Sequence, residues 1–179
     1  ILMTVRIKKD RKNIFIYNAL NTDYKEVLRT YTDLAGVEIN QTLDEKTAAV
    51  IVSYPDFNGN IIDLEIIRKK CDAVGALMIV VVTEVLALGL LEAPKMADIV
   101  VGEASSIGVG LNFGGPHLGF FACKKADVRQ MPGRICGLTT DENGEPGYVL
   151  TLNAREQHIR REKATSNICS NQGLCATAF

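Results

Sequence analysis

Asp98–Lys125 reads DIVVGEASSIGVGLNFGGPHLGFFACKK, and the rest of the chain is understood outward from it. It reads as a short buried strand, a long loop and a second apolar strand. The loop holds Gly102, Gly108, Gly110, Gly114, Gly115 and Gly119, six of the chain's 15 glycines. Such residues let the backbone approach another surface closely. A run of them forms concave nests of N–H groups that bind anions such as a phosphate. The same glycines equally suit a tight turn system packed on its own sheet, because glycine density alone is weak evidence. Spacing leaves both readings open.

Upstream, strands and helices alternate. Ala76–Val82 (ALMIVVV) is apolar throughout, as expected of a strand covered on both faces. Thr47–Ser53 reads as another buried strand, Asn13–Tyr17 as a β-branched and aromatic one, and Val37–Ile39 as a short one. Thr22 or Asp23 is expected to cap a helix that runs to Ala35 and stops at Gly36. Tyr24, Val27, Leu28, Tyr31 and Leu34 give it an apolar face at helical spacing. A second helix is expected over Ile62–Val74, ended by Gly75, and a helical turn near Leu86–Leu91. Residues 1–8 suit the end of a helix.

This order predicts an α/β fold with a mainly parallel sheet and flanking helices. Ligands of such sheets sit beyond the carboxyl ends of the strands. Asp56, Thr83, Glu84 and Gly102–Ser106 all follow expected strands and should line one edge. After Gln130 the pattern changes. Arg134–Thr140 and Tyr148–Leu152 read as strands joined through Asp141-Glu142-Asn143-Gly144, a β-hairpin near the C-terminal end, with Pro146 marking an edge strand. In the tail, Arg155, Arg160, Arg161 and Lys163 read as a solvated helix face, with a helical Glu156–Arg160 ion pair. Thr165 and Ser166 suit a helix cap.

The 179 residues suit one domain, 1–179. Hydrophobic residues make up 47% and charged residues 23%, ordinary for a globular protein. A net charge of −1 argues against nucleic acid and anionic membrane as main partners. No apolar run approaches the ~20 residues of a membrane span. Cys71, Cys123, Cys136, Cys169 and Cys175 show no metal-binding spacing and read mostly as small core residues. Only two histidines are present, which disfavours a His-based metal site. Walker A, dinucleotide and nucleophile-elbow motifs are all missing. Both ends read as interior sequence, ILMTV and GLCATAF, so a piece of a longer polypeptide is expected.

Three stretches together resemble a known family. Ala97–Lys124, Val128–Arg134 (VRQMPGR) and Val149–Gln172 (VLTLNAREQHIRREKATSNICSNQ) are similar to the P-protein of the glycine cleavage system, specifically its first subunit or N-terminal half. Tyr54–Gly59 and Leu86–Leu91 agree. The resemblance implies the large domain of fold-type-I pyridoxal-phosphate enzymes and an internal fragment of a longer subunit. It also implies glycine decarboxylation, with the aminomethyl group passed to the lipoyl H-protein. The lysine that holds the cofactor in the catalytic half follows the strand equivalent to Asp98–Val101. Here that loop reads Gly102-Glu103-Ala104-Ser105-Ser106, with Ser105 near the missing lysine.

The implied role is therefore to complete a site on a second P-protein subunit or C-terminal half, which holds pyridoxal phosphate covalently. Asn112, Gly114, Gly115, Pro116 and His117 are the residues expected to meet the partner's cofactor phosphate. Arg160, Arg161, Lys163, Thr165 and Ser166 are expected to touch the partner or the carrier. Cytoplasmic location is implied, or the mitochondrial matrix for a eukaryotic parent. The competing readings are a non-catalytic scaffold subunit and an independent phosphate-ligand-binding α/β module.

Overall fold

The computed structural model describes residues 1–165 and 172–179, so Ser166 and Cys169 lie outside the described residues. It has two compact units, Ile1–Lys124 with Gln172–Phe179, and Lys125–Asn171.

The first unit is built on a 6-stranded sheet of β1 (Asn13–Ile16), β2 (Glu38–Asn40), β3 (Thr47–Ser53), β4 (Leu77–Val82), β5 (Ile99–Glu103) and β6 (Gly119–Cys123), in the order β2-β1-β3-β4-β5-β6. Neighbours run parallel except β5 and β6, which pair antiparallel. The uninterrupted β-branched runs of β3 and β4 dictate their central place, since both faces of such strands must leave water. Val50, Val52, Met78, Val80 and Val82 are completely buried. They pack with Leu64, Ile67 and Cys71 of helix α3 (Leu64–Val74). Full burial of a side chain such as Ile67 stabilises by about 2 kcal/mol. The same burial pushes the Cys71 thiol up to about 11.

Helices α1 (Leu2–Ile7), α2 (Thr22–Ala35) and α5 (Gly173–Ala178) complete this unit. Both α2 and α3 end on a left-handed glycine, Gly36 and Gly75, as their sequences predict. The residue after each glycine closes the end, Val37 N–H donating to Thr32 O and Ala76 N–H to Cys71 O. The caps at the other end differ from expectation. Asn21 caps α2 by accepting from Asp23 N–H, and Asp63 caps α3 by accepting from Glu65 N–H, which moves that start to Leu64. The face expected to be buried on α2 is also corrected. Tyr24, Val27, Tyr31 and Leu34 are exposed, while Thr32 is buried and Leu28 half-buried.

At the amino end of β5, Asp98 is buried and fully engaged. Its carboxylate accepts from Met78 N–H and from Arg68, both at 2.7 Å, and from the Lys124 ammonium. One side chain thereby ties β4, β5, α3 and the residue after β6 together.

The second unit holds a 3₁₀ turn (Lys125–Gln130), the antiparallel hairpin of β7 (Ile135–Thr140) and β8 (Pro146–Thr151), and the short helix α4 (Gln157–Arg160). Asp141 shapes the hairpin turn by accepting from Asn143 and Glu145 N–H. Arg155 corrects the expectation of a solvated basic face. It is buried and donates to Met131 O, to Gly133 O at 2.6 Å and to Thr165 Oγ1 at 3.3 Å. The expected Glu156–Arg160 ion pair is replaced by Glu156 against Arg155 at 3.5 Å, because Glu156 is buried just before a helix of a single turn.

Candidate functional site

The parallel strands bring their carboxyl ends to one edge. Tyr54–Asn60 follows β3, Thr83–Gly89 follows β4, and the long loop Ala104–Leu118 follows β5. Asp56, Thr83 and Glu84 therefore stand where the sequence order put them. The 3₁₀ turn Val85–Gly89 fills part of the stretch read as helical near Leu86–Leu91. Asp56 is spent on its own turn. The Asn60 side chain holds its carboxyl below the usual range, and Asn58 and Asn60 N–H add to the effect. Glu84 reaches across the edge: Oε2 accepts from Ser106 Oγ at 2.7 Å and Oε1 from Leu86 N–H at 3.0 Å.

The loop after β5 starts later than the sequence suggests. Gly102 and Glu103 complete the strand, opposite Phe120 and Gly119. Gly102 is there because nothing larger fits, as a Cβ would stand 2.1 Å from Val82 O and 2.5 Å from the Phe120 ring. Packing also explains Gly108, whose Cβ would meet Ala178 O of α5 at 2.3 Å. Around Gly110 and Gly114, by contrast, a Cβ would meet nothing within 4 Å. The glycines thus divide. Those near the sheet and α5 serve close packing, and those toward the tip leave bare backbone facing open space.

The tip combines three unusual features. Asn112 and Phe113, two residues with side chains, hold left-handed φ of 40° and 56°, a conformation costing about 1 kcal/mol each. Leu111 and Phe113 are fully exposed although both are large and apolar. The local ties are internal: Gly114 N–H donates to Leu111 O and the Asn112 amide to Val109 O. Asn112, Gly114, Gly115, Pro116 and His117 share this arch, with only Gly115 half-buried. Ser105 lies at its foot.

Two further residues of this edge escape a reading by motif. Glu103 Oε1 accepts from Ser105 N–H and Leu118 N–H, both at 2.8 Å. Burial works to raise its pKa, but the N–H bonds from Leu118 and Ser105, with His117 nearby, outweigh it and hold the carboxyl below the usual range. Tyr24, in the first turn of α2 after β1, is just over a third exposed, and its phenol is raised by the partial burial of the rest and then by the Glu103 charge. The only sequence signal for Tyr24 is its position just after the β1 loop.

The other expected contact residues belong to the second unit. Arg160, Arg161 and Lys163 are exposed there, and Thr165 is half-buried, bonded to Arg155 through both its hydroxyl and its N–H. Arg155 also links two of the motif stretches, since from the one that starts at Val149 it reaches Met131 and Gly133 of Val128–Arg134, all in the second unit. Among the described residues no His, Cys, Asp and Glu cluster could hold a metal, and no helix is long and apolar enough to cross a membrane.

A family model described as "Glycine cleavage system P-protein" matches residues 1–179. The chain is 50% identical over 197 residues to the "Probable glycine dehydrogenase (decarboxylating) subunit 1" of Sphingopyxis alaskensis, covering 100% of this chain and 43% of that protein. It is 51% identical over 185 residues to the protein of the same name from Desulforamulus reducens, covering 94% of this chain and 41% of that one. It thus spans about two fifths of the curated relatives it matches. Among solved structures, a P-protein glycine decarboxylase in inhibitor-bound form superposes with a TM-score of 0.91 at 39% identity, covering 98% of this chain and 43% of that one. An O-acetylhomoserine (thiol)-lyase from Campylobacter jejuni with N'-pyridoxyl-lysine-5'-monophosphate superposes with a TM-score of 0.54 at 16% identity, covering 70% of this chain and 34% of that one, a likeness of fold alone.

Proposed function

The chain belongs to the glycine cleavage system P-protein family, and from that premise we propose that it is part of a glycine dehydrogenase (decarboxylating) whose cofactor lysine stands on a partner half. Glycine loses carbon dioxide, and its methylene carbon bonds to one sulfur of the H-protein lipoyl disulfide while the other sulfur takes a proton. Pyridoxal phosphate, when bound, supplies the electron sink for this chemistry. The residues of this chain fit a non-covalent share in holding it.

One observation carries the proposal. Gly102–Leu118 contains no lysine, yet its tip offers open main chain at Gly114, followed by half-buried Gly115, beside exposed Asn112 and His117. The N–H groups of Gly115 and His117 and the polar tips of Asn112 and His117 suit a phosphate; Gly114 N–H is spent on Leu111 O and Pro116 has none, and Ser105 and Ser106 cannot form a Schiff base. Left-handed φ at Asn112 and Phe113 is tolerated where a loop is shaped for a contact. Asn112–His117 then meet the partner's cofactor phosphate and exclude water from it, while exposed Leu111 and Phe113 bury against the partner subunit. In the second unit, Arg160, Arg161, Lys163, Thr165 and Ser166 are assigned to contact with the partner or the H-protein, and the cytoplasm of a bacterial cell is the place of action.

Cofactor release from the assembled two-half enzyme tests this. Asn112→Ala and His117→Ala are expected to speed pyridoxal phosphate release about tenfold, the worth of one good polar contact, with assembly intact. Unchanged release in an intact assembly would leave the loop as packing only, which is the scaffold reading.

A further inference from the structure

We propose that Glu103 is a positioning residue for the glycine-rich loop: one carboxylate oxygen holds both feet of Ser105–Leu118 and so sets the pose of Asn112–His117. The inference rests on the reading of that loop given under the proposed function.

Glu103 is the last residue of β5, so its backbone is fixed by the sheet, opposite Gly119 of β6. From there Oε1 takes the N–H of Ser105, where the loop leaves, and the N–H of Leu118, where it returns. A main-chain bond from Ala104 N–H to Leu118 O at 2.8 Å lies beside it. Ala104 and Leu118 are buried with Cys175 in a small apolar cluster, so the two feet are anchored at one point. Beyond them the ties thin out. Ser106 meets Glu84, and Gly108 lies against α5. From Gly110 onward the main-chain bonds to Ser105 and Leu111 close turns inside the loop itself. The arch that carries Asn112 and His117 therefore takes its direction from its feet.

An ionised carboxylate suits this task, because charge-assisted N–H bonds are the stronger kind and one oxygen accepts two of them. Its charge also faces Tyr24 from α2 and His117 from the loop itself. The bland alternative, a carboxylate that merely satisfies two N–H groups, leaves the tip indifferent to its loss.

The test compares Glu103→Ala and Glu103→Gln in the full-length protein, with two readouts. Amide hydrogen exchange is followed over residues 105–118 without any cofactor, and pyridoxal phosphate release is followed in the assembled enzyme. Glu103→Ala should raise exchange across the loop by about tenfold or more, leave β3 and β4 amides unchanged, and speed cofactor release. Glu103→Gln keeps the acceptor oxygen and should restore most of both. Unchanged loop exchange in Glu103→Ala overturns the clamp, and so does a Gln variant as loose as the Ala variant. A loosened loop with normal cofactor release, in an enzyme where Asn112→Ala does speed release, overturns the link between clamp and site. If Asn112→Ala has no effect either, the reading of the loop as a cofactor contact fails, and this proposal fails with it.

Discussion

The two ends of β5 each carry a carboxylate, and the two are put to different uses. At the amino end Asp98 is buried under Arg68, Lys124 and Met78 N–H, partners drawn from separate elements. At the carboxyl end Glu103 holds two N–H groups of one loop, and the loop beyond it exposes Leu111, Phe113 and open main chain. One end is finished within the chain. The other ends in large apolar side chains turned to solvent and in main chain at Gly110 and Gly114 with open space beside it, which is how a surface shaped for another molecule looks.

Breaking the finished end should have the largest effect. Asp98→Ala leaves the buried Met78 N–H without its acceptor and takes from the mostly buried Arg68 one of its two carboxylate partners, Asp72 being the other, at a cost of about 3 kcal/mol in chemical denaturation. Lys124 is half exposed and relaxes into water, so it adds little. Next comes Gly102→Ala, which forces a Cβ against Val82 O and the Phe120 ring and should cost about 2 kcal/mol by the same measurement.

Acid should separate wild type from an Asp98→Asn variant. Burial acts to raise the Asp98 pKa, but Lys124, Met78 N–H and Arg68 together lower it below the ordinary value. A carboxylate depressed in the folded state stabilises fully above its unfolded value, about 3.9 for Asp, and that share is lost as pH falls through the lower folded value. Wild type should therefore lose stability on acidification below about pH 4, and Asp98→Asn should show a flatter slope there. At the open end the effect on the fold should be smallest. Phe113→Ser is expected to move stability by less than about 0.5 kcal/mol, while weakening association with the partner in sedimentation; weakened folding with normal association would reverse the comparison.

The finished parts were the most legible in the sequence. Unbroken β-branched runs at Thr47–Ser53 and Ala76–Val82 can only be central strands, and Gly36 and Gly75 stop two helices by a local rule. Helix faces were less legible: α2 and α3 follow the same grammar, yet α3 buries Ile67 and Cys71 whereas α2 exposes Val27 and Leu34. Spacing defines a stripe, and what covers the stripe is a tertiary matter. At the candidate edge, strand order placed Glu84 and Ser106 together, while the role of Glu103 needed the return of the chain at Leu118. The burial of Arg155 escapes the sequence for a similar reason. Its partners at Met131 and Gly133 stand far upstream, where no local rule reaches.

Borohydride reduction of this protein assembled with its proposed partner half and pyridoxal phosphate, followed by peptide mapping, decides which half holds the cofactor. A pyridoxyl-lysine is expected on the partner half and none on this chain. A stoichiometric pyridoxyl-lysine on this chain would contradict the assignment of the cofactor lysine to the partner.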